Sequence, residues 1–190
     1  FGECSQLSSV IGLDHVHVIS VMAFVGSQVE IERRSDEPMK YSVLLLGQSK
    51  SGKTTLFHQL TRGVASLDVP TTTSKNEEEV IMEVDHKRVT LSVIDMPCSM
   101  SNIQKASAYI LMYDVTSRAS FDSLAGYLEI LPKDSLRVIV GNKSDSRDSR
   151  VVNSNEGKRF SNENDCSFFE ISALSGEKAN EPFDTLVRGW

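Results

Sequence analysis

The sequence predicts an α/β fold in which a mainly parallel central sheet carries helices on both faces. After residue 40, short apolar runs that suit strands buried on both faces alternate with stretches of helical period, and this alternation is typical of parallel sheets. The chain has 190 residues, enough for one domain with its own core and an extension. Because ligands of such folds bind at the carboxyl ends of the strands, we expect the functional residues there.

The predicted strands are apolar runs rich in Val, Ile, Leu and Phe, at residues 41–46, 90–94, 108–113, 136–140 and 168–171. The predicted helices lie between and after them, at residues 53–61, 121–131, 154–164 and 179–188. The phenylalanines of these elements are expected in the core, the usual place of aromatic side chains on a buried face: Phe121, Phe160, Phe168, Phe169 and Phe183.

Residues 1–39 are predicted to form an N-terminal extension, and residues 40–190 the main domain. The boundary is set at a charged segment that contains Pro38, a residue typical of linkers. β-Branched residues at 16–25 predict that the extension is partly strand-like. The same apolar stretch is about half as long as the ~20 residues that a membrane-spanning helix needs, and the acidic residues before it disfavour a secretory signal.

Charge and cysteine usage exclude several classes of function. The 20 Lys and Arg against 26 Asp and Glu give a net charge of −6, and no basic run could neutralise several phosphates in a row, so we expect no nucleic-acid partner. The cysteines are Cys4, Cys98 and Cys166, an odd number without metal-binding spacing, which predicts neither a disulfide framework nor a zinc site. A reducing, cytoplasmic compartment fits this usage.

Residues 47–54, with the sequence GQSKSGKT, match the pattern GxxxxGK[ST] of phosphate-binding loops. The match follows a predicted strand and opens a predicted helix, the context that the pattern requires, and it indicates a P-loop NTPase fold. The backbone amides are expected to bind phosphate, the Lys53 ammonium to stabilise the terminal phosphates electrostatically, and the Thr54 hydroxyl to ligate Mg²⁺. The predicted nucleotide-binding residues of this loop are Gln48, Ser49, Lys50, Ser51, Gly52, Lys53, Thr54 and Thr55.

Two further segments follow the last predicted strands. Residues 142–145 read NKSD, and Ser172-Ala173 comes directly after the strand at 168–171. In this order with the phosphate loop, the chain resembles the Ras-superfamily small GTPases, whose NKxD and SA motifs occupy these places, and it is most similar to Rab-type sequences at 110–121 and 150–160. The resemblance implies that the ligands are GTP or GDP and Mg²⁺.

The base-reading roles are also implied by this resemblance. Asp145 would accept hydrogen bonds from two donors of guanine, a donor pair that adenine lacks. Asn142 would brace the site, the Lys143 stem would cover the base, and the Ala173 amide would meet the guanine oxygen. The predicted base-binding residues are Asn142, Lys143, Asp145, Ser172, Ala173 and Leu174.

The first switch region departs from the family pattern. Thr72 lies 18 residues after Thr54, the separation expected in Ras and Rab chains for the threonine that closes over Mg²⁺, so Thr72 is the candidate switch residue and metal ligand. The glycine that usually follows is missing, and Pro70 with Thr71 looks like an Arf-type switch. Thr71, Thr72 and Thr73 therefore stay open as candidates, as does a polar loop without a special role.

The second switch region departs further. Asp95 keeps the family's place for the outer-sphere partner of Mg²⁺. Cys98 and Ser99 stand where the family has a glycine and a water-orienting glutamine, and the segment that follows is shorter than in the family. Gln104 is the nearby glutamine, but it lies downstream in an expected helix. Apart from Lys53 and Thr72, no catalytic residue is assigned, and we expect slow hydrolysis.

The leading interpretation is a GTP/GDP switch with slow hydrolysis that acts through protein effectors or regulators. The alternative is a non-hydrolysing interaction module, part of a larger protein. An ATP-dependent kinase or ATPase with the same loop is disfavoured by the NKSD segment. Residues 187–190 contain no cysteine for prenylation and no basic run, so we expect no membrane anchor in this chain, and a membrane would be reached through a partner or a missing segment.

Overall fold

The computed structural model describes residues 39–63 and 76–190. These residues form a six-stranded sheet with helices packed on both faces. Apart from Met39, the predicted N-terminal extension lies outside the described residues, and its separation from the main domain stays a prediction. Thr71, Thr72 and Thr73 also lie outside the described residues.

The strands and helices have the following bounds. The strands are β1 (Met39–Leu46), β2 (Asn76–Val84), β3 (Lys87–Asp95), β4 (Ala108–Asp114), β5 (Leu136–Asn142) and β6 (Ser167–Ile171). The helices are α1 (Lys53–Arg62), α2 (Met100–Lys105), α3 (Arg118–Asp122), α4 (Leu124–Ile130), α5 (Ser154–Glu163) and α6 (Glu181–Gly189), with a 3₁₀ turn at Arg147–Ser149.

The strand order in the sheet is β2-β3-β1-β4-β5-β6. Every neighbouring pair is parallel except β2 and β3, which form an antiparallel hairpin. Asp85 and His86 make its turn, and their φ angles of 50° and 66° are the positive values that such two-residue turns use. The mainly parallel α/β fold predicted from the sequence is confirmed.

The central strands are apolar because both of their faces are covered. Successive side chains of β1 point to opposite faces, so Val43 and Leu45 pack with α1 and α6, whereas Leu44 and Leu46 pack on the side of α2 to α5. All residues of β4 are buried. Phe121 and Phe183 are buried as predicted, and the other three predicted core phenylalanines are partly buried.

The sequence patterns miss β2 as a strand, and the reason is its place at the edge of the sheet. Met82 and Val84 pack against the core, but Glu79, Ile81 and Glu83 on the other face are exposed. An edge strand with one covered face carries no continuous apolar run, and charged side chains are common on such edges.

The single helix predicted at 121–131 is wrong in its start and continuity. It begins at Arg118, because the Ser117 hydroxyl accepts from the amide of Ser120 (3.3 Å), and it divides at Ser123 into α3 and α4. Within residues 39–63 and 76–190, no helix is long and apolar enough to cross a bilayer. Cys98 and Cys166 are free thiols, and Cys4 lies outside the described residues.

Candidate nucleotide-binding site

A cavity of about 600 Å³ opens beyond the carboxyl ends of β1, β3 and β5. Its walls come from the phosphate loop, from residues 95–98, from residues 142–146 and from the segment after β6. The volume lies within the range of about 300–1,000 Å³ that is usual for small-molecule sites. The motifs predicted from the sequence are therefore brought to one place, at the edge of the sheet where α/β folds bind ligands.

The phosphate loop is shaped by two glycines that leave no room for a side chain. A Cβ atom at Gly47 would lie 2.1 Å from the carbonyl oxygen of Met112, and one at Gly52 would lie 2.0 Å from Nδ2 of Asn142. Their φ angles of 140° and 97° are also values that favour glycine. Helix α1 starts after Gly52 without a side-chain cap, and its first residues line the cavity, as is usual where a helix N-terminus binds an anion.

Lys53 lies at the start of α1 and lines the cavity. Its ammonium donates to the carbonyl oxygens of Gly47 (2.8 Å) and Gln48 (3.0 Å). Burial lowers the pKa of Lys53 below its ordinary value, and the charge of Asp95 opposes that shift. A cation that is partly removed from water interacts strongly with an anion, so this site suits a phosphate.

Thr54 and Asp95, two of the predicted metal residues, are in contact. The Thr54 hydroxyl donates to Oδ2 of Asp95 at 2.6 Å, and Asp95 is buried at the end of β3. A hydroxyl and a carboxylate are the hard oxygen donors that Mg²⁺ prefers. The pair therefore fits an Mg²⁺ site beside the phosphate loop, whereas the third predicted ligand, Thr72, lies outside the described residues.

Asn142, at the end of β5, links the phosphate loop to the segment after β6. Its Nδ2 donates to the carbonyl oxygen of Ser51 (2.8 Å), and its Oδ1 accepts from the amide of Ala173 (2.9 Å). The side chain is buried, so each bond is shielded from water. One residue thus holds together the three segments that the sequence marks as nucleotide-binding.

Lys143 is held by an acidic residue that the sequence patterns do not single out. Its ammonium donates to Oδ2 of Asp114 at 2.5 Å, and its φ of 64° places it in the left-handed region. Burial raises the pKa of the Asp114 carboxyl, but hydrogen bonds from Lys143 and Thr116 outweigh it and lower the pKa. The signal in the sequence was a carboxylate at the carboxyl end of β4, the neighbour of the strand that Lys143 directly follows.

The remaining predicted residues fall into two groups. Those that line the cavity are Ser49, Lys50, Thr55, Asp145, Ser172 and Leu174. Gln48, Ser51 and Ala173 are not among the lining residues, and each takes part through a backbone group. Tyr127 of α4 and Ser146 also line the cavity, although no sequence pattern pointed to them.

The residues that replace the family's second-switch motif have other contacts. Cys98 lines the cavity, and burial raises the pKa of its thiol. The Ser99 hydroxyl caps α2 by accepting from the amide of Asn102 (3.3 Å). Gln104 lies in α2, as the sequence predicted for it, and is exposed. Within the described part of the chain, no glutamine side chain lines the cavity.

Comparisons with known proteins agree with this geometry. The family model described as "Ras family" matches residues 42–190. The Ras-related protein Rab-4B of Homo sapiens is 32% identical over 159 residues, which cover 78% of this chain and 75% of the relative. The Ras-related protein Rab-11C of Dictyostelium discoideum is 29% identical over 158 residues, covering 77% of this chain and 70% of the relative.

A third relative is much longer than this chain. The Ras-related protein Rab-44 of Mus musculus is 30% identical over 166 residues, which cover 82% of this chain but 17% of the relative. The match to the family model covers most of the chain and includes the phosphate loop, the end of β3 and both base-reading segments. The chain therefore belongs to the Ras family of small GTPases, GTP-binding molecular switches, and is Rab-like within it.

Proposed function

We propose that residues 40–190 bind GTP and GDP with Mg²⁺ and act as a slowly hydrolysing switch that contacts protein effectors or regulators. The observation that carries this proposal is the double hydrogen bond of Asn142 to Ser51 and Ala173. Because Asn142 ties the phosphate loop to the segment after β6 at one cavity, a single nucleotide can reach both.

Each part of the nucleotide has residues suited to it. The loop amides and Lys53 would bind the phosphates, and Asp145, which is exposed in the cavity wall, would accept from the guanine base. Thr54 and Asp95 would hold Mg²⁺, and a bound Mg²⁺ would neutralise charge on the phosphates. Thr72 stays the candidate for closing over the metal.

The direct experiment is to identify the nucleotide that co-purifies with the protein and to titrate GTP against ATP. We expect GTP and GDP to bind and ATP to bind much more weakly. Preferential binding of ATP, or equal binding of GTP and ATP, would exclude a guanine switch.

Changing Asp145 to Asn is expected to weaken GTP binding and to reduce the preference for guanine. An amide can accept from one guanine donor but turns its own NH₂ toward the other, and one unsatisfied group costs about 1–3 kcal/mol. Competition of GTP, xanthosine triphosphate and ATP against a fluorescent GTP measures the change. Asp148→Asn, on the neighbouring exposed 3₁₀ turn, removes the same charge outside the cavity and should leave specificity as it is.

Hydrolysis of GTP by the pure protein is expected to be slow, below the ~3 × 10⁻⁴ per second of a small GTPase that has its water-orienting glutamine but no activating partner. Phosphoryl transfer depends on a positioned water, and Ser99 caps a helix while Gln104 is exposed in α2. A single-turnover assay with Mg²⁺ and GTP measures the rate. The domain should then stay mostly in its GTP-bound state.

Two variants sharpen this assay. Ser99→Gln restores a glutamine at the family's position and should raise the rate, whereas Gln104→Ala should leave it unchanged. Brisk phosphate release by the unmodified protein, abolished by Lys53→Ala, would refute slow hydrolysis.

A second candidate function is a non-hydrolysing interaction module within a larger protein. It is favoured by the presence of Cys98 and Ser99 in the second switch region, since the Ser99 hydroxyl caps α2 by accepting from the amide of Asn102. In that case nucleotide would bind and stabilise the fold without turnover, and no phosphate would appear in the single-turnover assay even after many hours.

A further inference from the structure

Three lysines line the cavity, and they differ in their contacts. Lys53 donates to carbonyl oxygens of the phosphate loop, and Lys143 donates to Asp114. Lys50 is exposed, and its ammonium makes no hydrogen bond or ion pair with the part of the chain that the structure describes. Lys50 is therefore the cavity lysine whose charge is still available to a ligand.

Lys50 occupies a position of the phosphate loop where a charged side chain is unusual. It is the third of the four open positions in the pattern GxxxxGK[ST], so the pattern assigns no role to its side chain. Its φ of 68° lies in the left-handed region, which costs a residue with a Cβ atom about 1–2 kcal/mol and is free for glycine. A lysine thus stands where glycine would fit the loop with less strain.

Charge accounting favours an anion as the partner of Lys50. The terminal phosphate of GTP carries about −1.5 to −2 charges near pH 7 and each inner phosphate adds roughly one more, so a bound Mg²⁺ and the Lys53 ammonium together would leave part of the negative charge uncompensated. Lys143 is already paired with Asp114, and Asp95 adds a negative charge to the same wall. Among the described residues that line the cavity, Lys50 is the remaining cation that can balance the rest of the phosphate charge.

We propose that the Lys50 side chain binds the phosphates of bound guanine nucleotide and slows its release. This inference rests on the proposed function and adds to it a residue that controls how long nucleotide stays bound. Because Lys50 is exposed, its attraction to phosphate is screened by salt, unlike that of the more buried Lys53. The side chain is long and flexible, so its loss should leave the loop backbone in place.

The test is the release rate of fluorescent GTP and GDP from the full chain with Mg²⁺. Lys50→Gln removes the charge. Glutamine also has a Cβ atom, so the cost of the left-handed backbone conformation at this position stays the same. At about 50 mM KCl, where screening is weak, we expect release to be about fivefold faster, the effect of one solvent-exposed charge pair in water. At about 1 M KCl, where the Debye length is ~3 Å, the variant and the unmodified protein should differ by less than about twofold.

Three further variants separate electrostatics from structure. Lys50→Arg keeps the charge and should restore slow release, and Lys50→Glu should release nucleotide faster than Lys50→Gln. Lys158→Gln, an exposed lysine of α5 away from the cavity, removes the same charge and should have no effect. The thermal unfolding of the nucleotide-free protein should be the same in all Lys50 variants that keep a side chain of similar length.

The outcomes distinguish this inference from the proposed function. One outcome is that the unmodified protein binds guanine nucleotide and releases it at the same rate as Lys50→Gln and Lys50→Glu do. In that case the role of Lys50 is overturned and the proposed function stands. Faster release that is independent of salt and is not restored by Lys50→Arg would mean a structural role, and it overturns the inference too. If the unmodified protein binds no guanine nucleotide, both fail.

Discussion

Replacing Lys53 by Ala is expected to weaken binding of GTP and GDP by about 30-fold to several thousandfold, while the fold survives. The ammonium is partly desolvated at the start of α1 and lies within the loop that would hold the phosphates. Removing one partner of a buried, hydrogen-bonded charge pair costs about 2–5 kcal/mol, and about 1.4 kcal/mol corresponds to a tenfold change in affinity. Titration with fluorescent GDP measures the loss.

Two variants control for charge and for folding. Lys158→Ala removes a lysine from the exposed surface of α5 and should leave affinity unchanged. Circular dichroism of Lys53→Ala should match that of the unmodified protein. Equal affinity in the folded Lys53→Ala variant would mean that residues 47–54 are a structural turn and that the phosphate-binding assignment is wrong.

Replacing Asn142 by Ala is expected to destabilise the nucleotide-free protein by about 2–6 kcal/mol and to weaken nucleotide binding as well. The change leaves the carbonyl oxygen of Ser51 and the amide of Ala173 without their partner. Each buried group left unsatisfied costs about 1–3 kcal/mol. Urea unfolding of the nucleotide-free protein gives the stability, and titration gives the affinity.

The expected loss has a matched control on α5. Asn155→Ala makes the same chemical change at an exposed position and should alter the unfolding free energy by less than about 0.5 kcal/mol. If Asn142→Ala unfolds at the same urea concentration as the unmodified protein and binds GTP equally well, Asn142 does not join the segments in solution. The observation that carries the proposed function would then be lost.

The buried strands and the phosphate loop could be predicted because their signals are local. The apolar runs of β1, β4 and β5 mark strands covered on both faces, and GQSKSGKT between a strand and a helix needs no distant residue to be recognised. The hairpin strand β2 could not be predicted in this way. Its sequence, NEEEVIMEV, has no strict alternation, and its role as a strand becomes clear only once β3 lies beside it at the edge of the sheet.

The same distinction holds within the candidate site. The sequence alone was sufficient to propose Lys53, Thr54, Asp95 and Asp145 as nucleotide or metal residues, since each belongs to a short motif at a strand end. Their roles stay predictions, and those of the first switch region fall on residues 64–75, outside the described part of the chain. Gln104 is a candidate that geometry disfavours, because it is exposed in α2 and away from the cavity wall.

Short motifs thus determined the family and the fold class, because each motif carries its chemistry in consecutive residues. Only the tertiary structure decided which residues form hydrogen bonds with one another. Asn142 and Ser51 are 91 positions apart in the chain, and Lys143 and Asp114 are 29 apart, so no local pattern pairs them. Their hydrogen bonds form because the parallel sheet brings its strand ends to one edge.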